Sequence, residues 1–273
     1  TEWEIVQKII DKKYTYSLAA EVGVPAPKTI YPTSLDEVER FSHEIEFPCL
    51  IKPSQSHLFF ARFGRKMVPV SNSDEMIKYY LQAVEARLEV VLQEIIPGDD
   101  NQVVNYNSYF QGGQPVAEFT AQHVRKAPPQ FGSPCVAISR QIPGVIEPAR
   151  KILQALDFYG YSCSEFKLDP RDGKYKLMEV NGRHNLSTLL AVRCGINFPW
   201  MHYCHLSTGE LPSYSNFTPG VYWIDIARDL GYSTRRFGKK HYSLGNLIKP
   251  YLNPHVYAVL DLLDPKPFIK RLK

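Results

Sequence analysis

The chain has 273 residues, of which 44% are apolar, 12% aromatic and 22% charged, enough to bury a core in one or two domains. Its net charge of +4 is small and dispersed, which excludes the electrostatic footprint of a dedicated nucleic-acid binder, and no nucleic-acid partner is expected. Five cysteines, at 49, 135, 163, 194 and 204, form no CxxC pair and are odd in number, which argues against a disulfide framework and for a reducing, cytoplasmic location.

The start TEWEIVQKIIDKK lacks the apolar core of a signal peptide, and no stretch approaches the ~18 uninterrupted apolar residues of a membrane span. A helical pattern is already under way at Thr1, as expected of a fragment with a further domain upstream. Residues 34–45 open with Ser34 and Glu37 in capping-box spacing and place Leu35, Val38, Phe41 and Ile45 on one helical face. FPCLIKPS then reads as a strand ended by Pro53. A second capped helix from about Asn72 to Leu88 is followed by the strand VVLQEII and the Pro97-Gly98 break.

Beyond this mixed lobe the pattern changes. VVNYNSYF and PVAEFTAQHV flank QGGQ and predict an antiparallel hairpin. A helix from about Gly144 to Leu156 follows, and YSCSEFKL and KYKLMEVN flank the turn DPRDG. The segment HYCHL reads as an amphipathic helix, and its His202, Cys204 and His205 lack a partner pair for zinc. After Gly209 the chain is rich in Pro, Tyr and basic residues, with no regular pattern. The fold class is therefore α+β, with lobes at 1–92 and 93–209 and an irregular extension at 210–273.

Strand alternation makes Glu179 and Asn181 of MEVN project to one side. Reflection about DPRDG brings Glu165 approximately opposite Glu179. Like charges facing each other on neighbouring strands repel, and a divalent cation is the usual way to stabilise them. Magnesium suits such hard oxygens and commonly shares its shell with nucleotide phosphates. The alternative is a solvated face on which each Glu pairs with Lys167 or Lys176.

An acidic strand residue, a turn and then Glu-x-Asn, here Glu165 and Glu179-Val180-Asn181, resembles the ATP-grasp superfamily over nearly 200 residues. The resemblance implies two lobes clamping ATP and two magnesium ions on Glu165, Glu179 and Asn181, with manganese able to substitute. It further implies that Lys12 and Lys52 contact the ATP phosphates. VLQEIIPGDD resembles the interlobe hinge, where Glu94, the backbone N–H of Ile96, and Asp100 would meet adenine and ribose. Arg183, in NGR where many relatives have NPR, resembles an arginine that stabilises the anionic intermediate. Arg125 is a substrate candidate beside the Pro-rich connector KAPPQFGS.

The phosphate-covering stretch PSQSHLFFARFGRK departs from a glycine-rich lid. Ser54 and Ser56 are small donors there, while Phe59 and Phe60 would stiffen it. His57, His123 and His184 lie near the site as bystanders, because a carboxylate is already ionised at neutral pH. Arg235, Arg236, Lys239 and Lys240 read as a solvated charged face.

The implied activity is ligation of small-molecule carboxylate and amine substrates through an acyl phosphate. The alternatives are an ATP-grasp enzyme with another acceptor, as in carboxylation or phosphoryl transfer, and a nucleotide-binding regulatory protein without turnover.

Overall fold

The computed structural model describes residues 2–53, 56–64, 67–129, 131–214, 216–233 and 243–272, apart from the side chains of 56–58, 232 and 233. Ser54 therefore lies outside the described residues, as do Arg235, Arg236, Lys239 and Lys240, and so do the side chains of Ser56 and His57.

Helices α1 (Trp3–Ile10) and α2 (Lys12–Glu21) precede a four-stranded antiparallel sheet. Its strands are β1 (Thr29–Ile30), β2 (Cys49–Pro53), β3 (Val68–Val70) and β4 (Val90–Glu94), in the spatial order β1-β4-β2-β3. Helices α3 (Leu35–Glu44), α4 (Ser56–Phe63) and α5 (Ser73–Glu85) belong to this lobe. The caps are local chemistry: Ser34 Oγ accepts from Glu37 N–H at 3.3 Å, and Asn72 Oδ1 accepts from Glu75 N–H at 2.9 Å. Val38 and Phe41 of α3 and Met76, Tyr80 and Ala83 of α5 bury one face against Cys49, Ile51 and Leu92. The segment expected to act as a lid is α4 instead, and its Phe59 is in this core while Phe60 is exposed.

The second sheet has seven strands: β5 (Val103–Gln111), β6 (Gln114–Ala127), β7 (Ser133–Ser139), β8 (Gly160–Leu168), β9 (Tyr175–Asn181), β10 (Tyr222–Ile224) and β11 (His255–Tyr257). Their order is β11-β10-β7-β6-β5-β8-β9, antiparallel except for the parallel β10/β11 pair. Gly112 and Gly113, with φ of 58° and 72°, make the tight β5–β6 turn that residues with a Cβ resist.

Helix α6 (Ile146–Ala155) covers one face, packing Ile152 and Leu153 on Tyr106, Phe166 and Leu177. Ile9 of α1, Ala19 of α2 and Val24 join that same cluster. The N-terminal helices thus pack on the second sheet, although the boundary expected at 92/93 would put them in the first lobe. Burying one aliphatic side chain of this size stabilises by about 1.5–3 kcal/mol, and the apolar positions of α1 and α2 match the sheet that offers the open face.

On the opposite face, α7 (Thr188–Arg193) and α8 (Phe198–Thr208) supply Leu190, Phe198 and Met201 against Phe119, Tyr161 and Trp223. Helix α8 is not amphipathic as expected, since Trp200, Tyr203 and Leu206 leave a second, exposed apolar side. The segment after Gly209, expected to be irregular, extends the sheet through β10 and β11 and adds α9 (Ile226–Ser233), α10 (Leu244–Leu252) and α11 (Lys266–Leu272). Among the described residues, no helix is long and apolar enough to cross a membrane.

Candidate active site

The two sheets face each other across a cleft whose cavity measures about 430 Å³, within the range of small-molecule sites. The first sheet contributes Lys52 from the end of β2 and Glu94 from the end of β4, and the hinge that follows contributes Ile96. Lys12, at the start of α2, lines the same space. Its helix is capped by Asp11, whose Oδ1 accepts from Lys13 N–H at 2.8 Å.

The floor is the β8–β9 hairpin. Glu165 and Glu179 are register partners, and so are Cys163 and Asn181. A bulge follows immediately, because Phe166 pairs with Leu177 and leaves Met178 extra. Leu177 and Val180 thereby both enter the core, while Glu179 and Asn181 keep the cavity side. Asn181 Nδ2 donates to Glu179 Oε1 at 2.8 Å, which fixes the amide against the carboxylate.

Burial pushes the Glu165 carboxyl above the usual carboxylate range; Lys126 and Lys52 oppose the rise and Glu179 adds to it. Two facing carboxylates and an adjacent amide oxygen are a hard-donor set that suits magnesium, and a cation there would offset the like charges. Among the described residues no three His, Cys, Asp or Glu side chains gather as a metal cluster; the third oxygen here belongs to an amide.

Lys52 donates to Gln93 Oε1, and Gln93 in turn donates to Thr29 Oγ1 at 2.8 Å. Burial, followed by repulsion from Lys12, lowers the Lys52 ammonium to about 8. The two lysines therefore share one electrostatic space, and an anion placed between them would relieve their repulsion.

Both Glu94 oxygens are already engaged. Oε1 accepts from Lys28 N–H at 2.8 Å and Oε2 from Arg171 Nη2 at 2.8 Å. Arg171 also pairs with Asp169 at 2.6 Å, so the DPRDG turn of the second lobe is tied to the end of β4 in the first. Lys167 Nζ donates to the carbonyls of Ile96 and Gly98 at 2.7 and 3.0 Å. Asp100 does not line the cavity; its Oδ2 accepts the backbone N–H of Lys126 at 3.2 Å. Arg183, exposed just beyond β9, lines the cavity. Phe131, Gly132 and Ser133 of the connector KAPPQFGS and Pro134 of β7 also line it, and residue 130 lies outside the described residues.

Arg125 does not reach the site. On β6, His123 faces Ala137 but Arg125 faces Val136, so two steps on β6 match one on β7 and Val124 is extra. That bulge turns Arg125 to the far face of the sheet. There Nε and Nη2 each donate to Asp229 at 2.7 Å, and Nη1 donates to Asn246 O at 2.8 Å. The same slip sends Lys126 into the cavity, 3.8 Å from Glu165 Oε1. Regular alternation from Ala121 points to Arg125 and misses Lys126. Asn105, opposite Glu165 on β5, was also missed, and its Oδ1 is buried without a hydrogen-bond partner at the cavity wall.

No family model matches the chain. It is 26% identical over 207 residues to the D-aspartate ligase of Enterococcus faecium, a match covering 72% of this chain and 49% of that protein. It is 24% identical over 203 residues to the carbamoyl phosphate synthase large chain of Thermomicrobium roseum, covering 70% and 18% respectively. The chain thus spans about half the length of the first relative and less of the second. Among solved structures it resembles the biotin carboxylase domain of Hydrogenobacter thermophilus 2-oxoglutarate carboxylase, described in complex with MgADP, ADP and bicarbonate. The TM-score is 0.64 at 18% identity, over 81% of this chain and 50% of that one.

Proposed function

The chain has the ATP-grasp fold, and from that premise we propose that it belongs to an ATP- and magnesium-dependent ligase joining a small-molecule carboxylate to an amine. The observation that carries the reading is the convergence of Glu165, Glu179 and Asn181 with Lys12, Lys52 and Arg183 around one interlobe cavity. The relatives named for D-aspartate ligation and carbamoyl phosphate synthesis, and the MgADP-bound neighbour, support it.

In this reading Glu165, Glu179 and Asn181 hold magnesium, two ions being expected, with manganese able to substitute. Metal bound there would neutralise phosphate oxygens and leave the γ-phosphorus more open to attack. Lys12 and Lys52 hold the phosphates from opposite sides as point charges. Lys126 lies beside Glu165 and limits its net charge. Ile96 and Glu94 border the adenine end, and with both Glu94 oxygens engaged, Glu94 supports the hinge more than it contacts the base. Asp100, which the resemblance makes the ribose candidate, stands after the hinge but outside the cavity, where its carboxylate accepts the Lys126 N–H. One oxygen of the substrate carboxylate attacks the γ-phosphorus, the bond to the β-phosphate oxygen breaks, and ADP departs. Arg183 then offsets the oxyanion as the amine adds and phosphate leaves.

The five cysteines are unpaired, four of them buried, which suits the reducing cytoplasm. The test is ATP-dependent phosphate release across a panel of carboxylates and amines, with bicarbonate included as an acceptor. Release that requires both a carboxylate and an amine supports the ligase. Release driven by bicarbonate alone would move the assignment to carboxylation, and ATP binding without release would make the chain a nucleotide sensor.

A further inference from the structure

A second cavity, of about 330 Å³, lies where α1 and α2 wrap the β9 edge of the sheet. Lys12, Tyr16, Glu179, Asn181 and Arg183 line both cavities, so the two spaces share a wall at the proposed reacting end. Away from that wall the lining is aliphatic: Val6, Ile9 and Ile10 from α1, and Val180 from β9. Thr15 supplies a hydroxyl there, but it donates to the carbonyls of Lys8 and Asp11 at 3.3 and 3.2 Å.

The cavity is a built feature. Tyr16 OH donates to Met178 O at 2.6 Å, pinning α2 to the bulge of β9. A Cβ at Gly182 would stand 2.7 Å from Ile9 Cδ1, so glycine in NGR leaves the end of the Ile9 side chain where it is, against the end of β9.

We propose that this cavity receives the carboxylate substrate, and that the substrate carries an aliphatic side chain; the inference rests on the ligase reading above. At the shared wall the two cations Lys12 and Arg183 outnumber the one carboxylate, Glu179, so the net field favours a carboxylate over an ammonium, which assigns the cavity to the acid and not to the amine. The aliphatic end offers no charged partner, so a second carboxylate or an ammonium gains no compensating contact for whatever hydration it gives up there. An aliphatic side chain gains instead about fourfold in affinity for each methylene buried. The substrate's carboxylate then meets the γ-phosphate across the Glu179 to Arg183 edge.

The experiment measures equilibrium binding of 4-methylpentanoate, propionate and aspartate to the full chain saturated with magnesium and a non-hydrolysable ATP analogue. Phosphate release with each acid is followed in parallel, with ATP in place of the analogue and the panel of amines present. Two variants probe the aliphatic end: Ile10→Glu, at a position 68% exposed where folding tolerates charge, and Val6→Trp, which fills the space. The expected result is that 4-methylpentanoate binds at least about tenfold more tightly than propionate or aspartate. Each variant should lose about tenfold for it while retaining affinity for the analogue. Wild-type carboxylate affinities in both variants, tighter binding of aspartate, or an effect of the variants on amines alone would overturn the inference. Because binding is read without turnover, absent phosphate release would count against the ligase reading alone.

Discussion

Glu165 on β8 and Glu179 on β9 are direct cross-strand partners, with Asn181 hydrogen-bonded to Glu179 at 2.8 Å, so two carboxylates and an amide meet on one side of one hairpin. Glu179→Gln keeps the shape of the side chain and removes one charge of the pair. Turnover should fall ~100-fold or more at saturating magnesium. The metal-free chain should melt slightly higher than wild type, because the cross-strand repulsion is gone. Phosphate release and thermal melts check both; wild-type turnover would remove Glu179 from the metal site.

The Lys52 ammonium, lowered to about 8 by burial and Lys12, predicts a pH dependence with opposite signs for binding and folding. Below pH ~8 the folded chain holds Lys52 charged, and above it the charge is lost, so nucleotide affinity should decline by up to about tenfold per pH unit. The unfolded chain keeps that proton to about 10.4, so the Lys52 contribution to stability rises between the two values. Nucleotide titrations from pH 7 to 10 should show the decline in wild type and its absence in Lys52→Arg. A flat wild-type profile would refute the assignment.

Arg125 and Asp229 form a bidentate pair whose side chains are 7% and 0% exposed. Arg125→Ala leaves Asp229 buried without that partner and should cost about 3–5 kcal/mol of stability, read as a lower urea midpoint. The folded fraction should keep near-normal substrate affinity. A stable Arg125→Ala chain with lost activity would return Arg125 to the substrate site.

Arg183 lines both cavities and, besides drawing in the substrate carboxylate, is expected to stabilise the charge that develops during acyl transfer. Arg183→Ala should lower the single-turnover rate ~100- to 1000-fold while nucleotide binding changes little. Equal losses in rate and in nucleotide affinity would make it a ground-state phosphate ligand.

Local rules within a few residues settled much of this protein from its sequence. Alternation placed Glu179 and Asn181 together, the DPRDG turn reflected Glu165 to within a residue of Glu179, the extra Met178 completing the pairing, and Ser34 and Asn72 cap their helices as their spacing predicts. These features depend on strand pleat, turn chemistry and capping, which short stretches of chain encode by themselves.

Features set by distant partners were decided by the tertiary structure. The extra residue at Val124 exchanges the faces of Arg125 and Lys126, because Asp229 and the carbonyl of Asn246, more than a hundred residues away, supply a buried polar socket for the guanidinium. Helices α1 and α2 joined the second sheet, and not the neighbouring first, because Ile9 and Ala19 complete the cluster around Tyr106 and Phe166. Strand β10 pairs with β7 only once the intervening chain has folded back, a loop closure that no local pattern announces. Periodicity records which side of an element is apolar; which surface that side meets, and where a bulge reverses it, is set by the free energy of the whole packed core.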